Sequence, residues 1–135
     1  MCNFRAAWHL DRGDFVAAAR ARAEFRGKLS GLCTAESDID AAEIIFGELL
    51  TNALRYSTGD AAAELRCHGD RITLEVCDEG DCFDPASVAA GERLGDADGG
   101  RGLMIARGLA EEFAVSAAEG TCTVSARLPV ACGGR

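Results

Sequence analysis

The segment Glu48-Leu49-Leu50-Thr51-Asn52-Ala53-Leu54-Arg55-Tyr56-Ser57, "ELLTNALRYS", closes an apolar series made of Ile39, Ala42, Ile45, Phe46, Leu49 and Ala53. Those residues recur at intervals of three and four, as one face of an α-helix requires. Ser37 and Asp38 stand before them as N-cap candidates, so a helix is predicted from there to about Tyr56. Glu48 and Asn52, four apart, then lie one turn above each other, with Leu49 and Ala53 beside them on the core stripe. A carboxylate and an amide at the margin of a buried stripe are most simply a solvated helix face. Other segments decide whether they are more than that.

Before this helix, residues 4–10, "FRAAWHL", read as a strand, and Arg12 to about Leu32 read as a first helix with Phe15, Ala18, Ala19, Arg22 and Phe25 at helical spacing. After it, residues 61–67 and 71–78 alternate. Ala61, Ala63, Leu65 and Cys67 share one face, Ile72, Leu74 and Val76 the matching one, and Gly69-Asp70 turns the hairpin. The stretch "DEGDCFDPASVAAGERLGDADGGRG" has no sustained period and reads as a long surface connection, of a kind that is usually functional or mobile. A third helix is expected from Arg101 to about Glu112, and a second hairpin over "FAVSAAEGTCTVSARLPV", turning at Glu119-Gly120. Only the tail "ACGGR" looks disordered.

The order strand, helix, helix, two strands, loop, helix, two strands predicts a single domain over residues 1–135. Its class is α+β, a two-layer sandwich of a mixed, mostly antiparallel sheet covered on one face by helices. A hydrophobic fraction of 48%, a charged fraction of 27% and no apolar run near the ~20 residues of a membrane span fit a globular chain. The N-terminus "MCNFRAAWHL" carries no secretory or lipidation pattern, which points to the cytoplasm. A formal charge of -8 and a single lysine, Lys28, argue against a nucleic-acid partner, because phosphate backbones are met by clustered Lys and Arg. A small anionic ligand is not excluded, since it needs local donors and a cation and no global positive field. The seven cysteines leave buried hydrophobes, a metal site or redox chemistry open. No C-x-x-C pair is present, which speaks against structural zinc.

Two further segments bear on Glu48 and Asn52. Asp78 shares the parity of Leu74 and Val76, so its carboxylate should face the helix layer, where it needs a donor such as an exocyclic amine. Gly80 follows and lets backbone come close to a ligand. "DGGRGL" sets Gly99, Gly100 and Gly102 directly before the third helix, where free N–H groups and the helix dipole favour phosphate. Neither a P-loop nor a Rossmann fingerprint is present.

Taken in order, E-x-x-x-N on a helix, D-x-G-x-x-F after a strand and G-G-x-G-L opening a helix resemble the N, G1 and G2 boxes of the GHKL ATPase superfamily. That superfamily, whose nucleotide-binding domain is the Bergerat fold, includes gyrase, Hsp90, histidine kinases and small anti-sigma-factor serine kinases. The resemblance spans roughly residues 4 to 129 and looks most like the stand-alone anti-sigma type. It implies an ATP-dependent serine/threonine kinase that phosphorylates an anti-anti-sigma antagonist and binds a sigma factor. The alternative is a catalytically weak ATP-binding module that controls a protein partner through nucleotide-dependent binding. By the same resemblance Asn52 would hold Mg²⁺ and Glu48 would be the general base. Asp78 would accept from the adenine amine, Gly80 would give the base room, and Gly100, Gly102 and Leu103 would bind on the phosphate side. Residues 84–99 would form the nucleotide lid, and the first strand and helix would carry a homodimer contact. Trp8, in that strand, reads as core.

The sequence departs from the family pattern at three places. Cys82 stands where a second glycine is common, Tyr56 where His is common, and Cys122 falls at the adenine-side Thr.

Overall fold

In the computed structural model, residues 2–34, 37–79 and 97–133 are described, without the side chains of 2, 3 and 97–101. The chain forms strand β1 (Cys2–Leu10), helices α1 (Phe15–Leu32) and α2 (Ile39–Tyr56), strands β2 (Ala61–Gly69) and β3 (Arg71–Glu79), helix α3 (Ala97–Leu109), and strands β4 (Glu112–Ala118) and β5 (Thr121–Ala131). The five strands make one sheet in the order β1-β2-β3-β5-β4, antiparallel at every pairing. The element order and the α+β class are those the sequence predicts, although among the described residues every strand pairing is antiparallel.

Alternation sets which face is covered. Ala61, Ala63, Leu65 and Cys67 on β2, Ile72, Leu74 and Val76 on β3, and Cys122, Val124, Ala126, Leu128 and Val130 on β5 are all buried against the helices. The opposite face stays charged: Glu64 sits between Arg5 and Arg66, and Arg66 also pairs with Glu75. His68, beside the buried Cys67, is exposed on that side, as neighbours on a strand must be.

Both long helices begin with an aspartate cap. Asp14 accepts from the Ala17 N–H and Asp38 from the Ala41 N–H, satisfying one orphan donor at each end. The core of the layer interface is aromatic: Phe25 of α1 stacks on Phe46 of α2 at 4.3 Å between ring centroids, and Trp8 of β1 meets Phe46 edge-on at 5.3 Å. The Trp8 indole N–H donates to Glu24 at 2.9 Å, so the ring packs inward with its polar edge satisfied. Outside this core, Arg26 donates to Asp40 and Glu43, and Arg22 to Glu43, lacing α1 to α2.

The tail differs from its sequence reading. Ala131 ends β5, and Cys132 is buried and bridges to Cys33 after α1. The Ala131 N–H donates to the Ser37 hydroxyl at 2.9 Å and the Cys132 N–H to the Asp70 carbonyl at 3.2 Å. Composition made "ACGGR" look loose, but backbone pairing with distant segments orders it through Gly133.

Candidate functional site

Helix α2 is positioned by a stripe that is nearly all buried, from Ala42, Ile45 and Phe46 through Leu49, Leu50, Ala53 and Leu54. That stripe fixes the azimuth of the two polar residues beside it. Asn52 is 8% exposed, and its Oδ1 is buried with no hydrogen-bond partner among the described residues. An unsatisfied buried oxygen of this kind costs on the order of 1–3 kcal/mol, and buried polar atoms are almost always satisfied. Glu48, one turn earlier, is half-buried. Its carboxylate occupies the space where a Cβ on Gly102 would stand. A side chain at Gly102 would therefore displace the Glu48 carboxylate.

Asp78 lies near the end of β3 in a row that runs Leu10, Ala61, Asp78, Cys122 across four strands. The other three members are buried, and Asp78 is half-buried on the helix-facing side, as its parity predicts. Just beyond α2, the Thr58 N–H and the Ser57 hydroxyl both donate to the Glu79 carbonyl, at 2.8 and 2.9 Å. Asn52 lies five residues before Ser57, about 7.5 Å along the helix axis at 1.5 Å per residue. The C-terminal end of α2 and the C-terminal end of β3 are thus joined, which brings the turn bearing Asn52 and the strand end bearing Asp78 to one end of the molecule. Ser57, buried at the helix C-cap, makes this join and was given no role from the sequence. A small hydroxyl residue directly after a helical period is the signal that could have found it.

Helix α3 begins at Ala97, four residues earlier than expected, so Gly99, Gly100 and Gly102 lie within its first two turns and not ahead of it. Each glycine disfavours helix by about 1 kcal/mol, but Leu103 and Ala106 are fully buried, and tertiary packing of that face outweighs local propensity. Leu103, expected on the phosphate side, sits in the core and anchors the glycine turn from behind. Gly80, Cys82 and nearly all of the expected lid, residues 84–96, lie outside the described residues. Cys122 is buried and disulfide-bonded, whereas Cys33, Cys67, Cys77 and Cys132 are not in disulfides. His9, Asp11 and Asp60 bring ligand atoms within 4.8 Å of one another at the same strand end. All three are exposed, and His9 and Asp60 pair at 3.6 Å.

The arrangement is a buried oxygen donor and a carboxylate one turn apart, a second inward carboxylate at a strand end, and a glycine-opened helix start against the first carboxylate. Comparison with known sequences decides what to call it. A family model described as the histidine kinase-like ATPase domain matches residues 14–127. The chain belongs to the histidine kinase-like ATPase domain family. No curated protein matches it. Among solved structures, this ATPase domain is similar to the RsbU and RsbW domains of Rv1364c from Mycobacterium tuberculosis, with 22% identity and a TM-score of 0.59 over 96% of the chain. It spans about a third, 34%, of that solved chain. It is also similar to the catalytic domain of histidine kinase ThkA, with 12% identity and a TM-score of 0.56, covering 96% of both chains. At these identities the likeness concerns the fold, and it agrees with the helix-covered antiparallel sheet of this ATPase domain. No described helix is long and apolar enough to cross a membrane.

Proposed function

We propose that this ATPase domain binds Mg-ATP and transfers its terminal phosphoryl group to a serine or threonine hydroxyl of an anti-anti-sigma antagonist, and that it also binds a sigma factor. The observation that carries the reading is the buried, unpartnered Oδ1 of Asn52 one turn from Glu48. A hard oxygen donor without a protein partner suits Mg²⁺, which takes few protein ligands and keeps waters. Bound there, the ion would neutralise phosphate charge during transfer. Glu48 accepts the proton of the attacking hydroxyl, its carboxylate lying half-buried against Gly102. Asp78 accepts from the adenine amine at the inward strand end, and Gly80 leaves space beside it. Gly100 and Gly102 serve the phosphates at the start of α3, with Leu103 holding that turn from the core.

The test separates binding from transfer. Calorimetry should show Mg-dependent ATP binding that is retained in Glu48→Gln and lost in Asn52→Ala. With radiolabelled ATP and the anti-anti-sigma proteins of the same genome, labelling of the antagonist should require Glu48. Absence of ATP binding to the wild-type protein removes the whole reading.

One observation favours a second reading, a nucleotide-dependent binding module with little turnover. Cys122, which neighbours Asp78 in the sheet, is disulfide-bonded where the family has a hydroxyl on the adenine side. ATP binding with no labelled protein in the same assay selects this module over the kinase.

A further inference from the structure

The segment after α1 and the end of β5 meet at a single antiparallel bridge between Cys33 and Cys132. Its hydrogen bonds run from the Thr34 N–H to the Ala131 carbonyl at 3.0 Å and from the Gly133 N–H to the Leu32 carbonyl at 2.6 Å. These bonds flank the two cysteines, so Cys33 and Cys132 form a non-hydrogen-bonded pair, the kind in which opposed side chains stand closest. Its Cα atoms are typically about 4.5 Å apart. A disulfide spans Cα atoms roughly 4.4–6.8 Å apart, so a pair of this kind lies within its reach. Both residues are reduced, Cys33 half-buried and Cys132 buried. A cavity of about 450 Å³ opens beside them, lined by Gly31, Leu32, Cys33, Thr34, Cys132 and Gly133.

We propose that Cys33 and Cys132 form a thiol–disulfide exchange site that takes a low-molecular-weight disulfide as its oxidant. The Cys33 thiolate, the more exposed of the two, attacks one sulfur of the small disulfide, and its S–S bond breaks to release one thiolate. The resulting mixed disulfide on Cys33 is attacked by the Cys132 thiolate, a second small thiolate leaves, and a Cys33–Cys132 bond forms. Two protons pass from the cysteines to the two released thiols, so two protein thiols are oxidised and one small disulfide is reduced. The new bond closes a loop of about 100 residues, the range in which a cross-link restricts the unfolded chain most. It also clamps the link that leads into α2, where the Asp38 N–H already donates to the Pro129 carbonyl at 3.1 Å. The site stands apart from Glu48, Asn52 and Asp78 and does not depend on the nucleotide reading.

The full-length protein, reduced and then exposed to oxidised glutathione, provides the test. Non-reducing digestion and mass spectrometry of the monomer should yield a peptide pair joined through Cys33 and Cys132, and the melting temperature should rise by about 5 °C or more above that of Cys33→Ser treated in the same way. Cys132→Ser should stop at a glutathione adduct on Cys33, and Cys33→Ser should give neither a joined Cys33–Cys132 pair nor any thermal shift beyond that of re-forming the Cys122 disulfide. The wild-type mapping needs no variant to fold. Failure to recover the joined pair from wild-type monomer, or a glutathione adduct on Cys33 that persists while Cys132 stays reduced, overturns the proposal.

Discussion

The Glu48 carboxylate fills the space in which a Cβ of Gly102 would lie, so one residue of α2 determines what α3 can carry at its second turn. Gly102→Ala therefore sets local propensity against placement of a functional group. The obstructing atoms are the far end of a flexible side chain, which can swing away, and alanine favours helix over glycine by about 1 kcal/mol. Urea denaturation of Gly102→Ala should show stability unchanged or raised by up to about 1 kcal/mol, while ATP-dependent transfer falls at least tenfold. A variant that keeps full transfer would mean that the position of Glu48 does not matter to the chemistry.

Asn52→Leu makes the complementary trade. The substitution is close in volume and removes a buried oxygen that the fold leaves unsatisfied, so stability should rise by about 1 kcal/mol. Mg-dependent nucleotide binding should disappear in the same variant. If urea unfolding instead shows a loss of more than 1 kcal/mol, the oxygen is serving the fold and not a ligand.

Phe46 sits between Trp8 and Phe25, touching both rings. Phe46→Ala should cost about 3–5 kcal/mol, a large share of the total stability of a small domain. Trp8 is the only tryptophan and lies in the same cluster, so its fluorescence reports the unfolding directly.

The lacing of α1 to α2 gives a pH dependence. Glu43 is held below the usual carboxylate range, chiefly by the hydrogen bond from Arg26, with Arg22 adding to it and desolvation opposing. A carboxylate depressed in the folded state contributes its stability in full above its unfolded value near 4.3, and the contribution vanishes as pH falls through the lower folded value. Arg26→Gln should flatten the loss of stability as pH falls below the unfolded carboxylate value and change little at pH 7 beyond a surface-pair effect of at most about 1 kcal/mol. Chemical denaturation at a series of pH values measures that slope.

The elements that a local period defines were legible in the sequence. The burial of Ala61, Ala63, Leu65 and Cys67 follows the alternation of their strand, and the Asp38 cap follows from its place before the apolar series. The second hairpin turns at Glu119-Gly120, both at positive φ, as a two-residue turn of matching twist requires. Inward placement of Asp78 could also be read, because it shares a face with Leu74 and Val76, whereas Asn52 could be placed only at the margin of the buried stripe and its burial was not legible. The early start of α3 was not legible: glycine and aspartate weaken the local helical signal, and only the depth of Leu103 and Ala106 shows why the helix persists. Ordering of Cys132 and contact between Glu48 and Gly102 depend on segments dozens of residues apart, which no window of sequence brings together.

Three donors converge on the Glu79 carbonyl: the Thr58 N–H, the Ser57 hydroxyl and the Thr58 hydroxyl at 3.1 Å. Sliding the sheet past the helical layer at this end would sever all three at once, so shear there is resisted. Whatever motion accompanies ligand capture must then hinge beyond this latch, leaving the spacing between the amide on the helix and the acid on the strand as a fixed gauge.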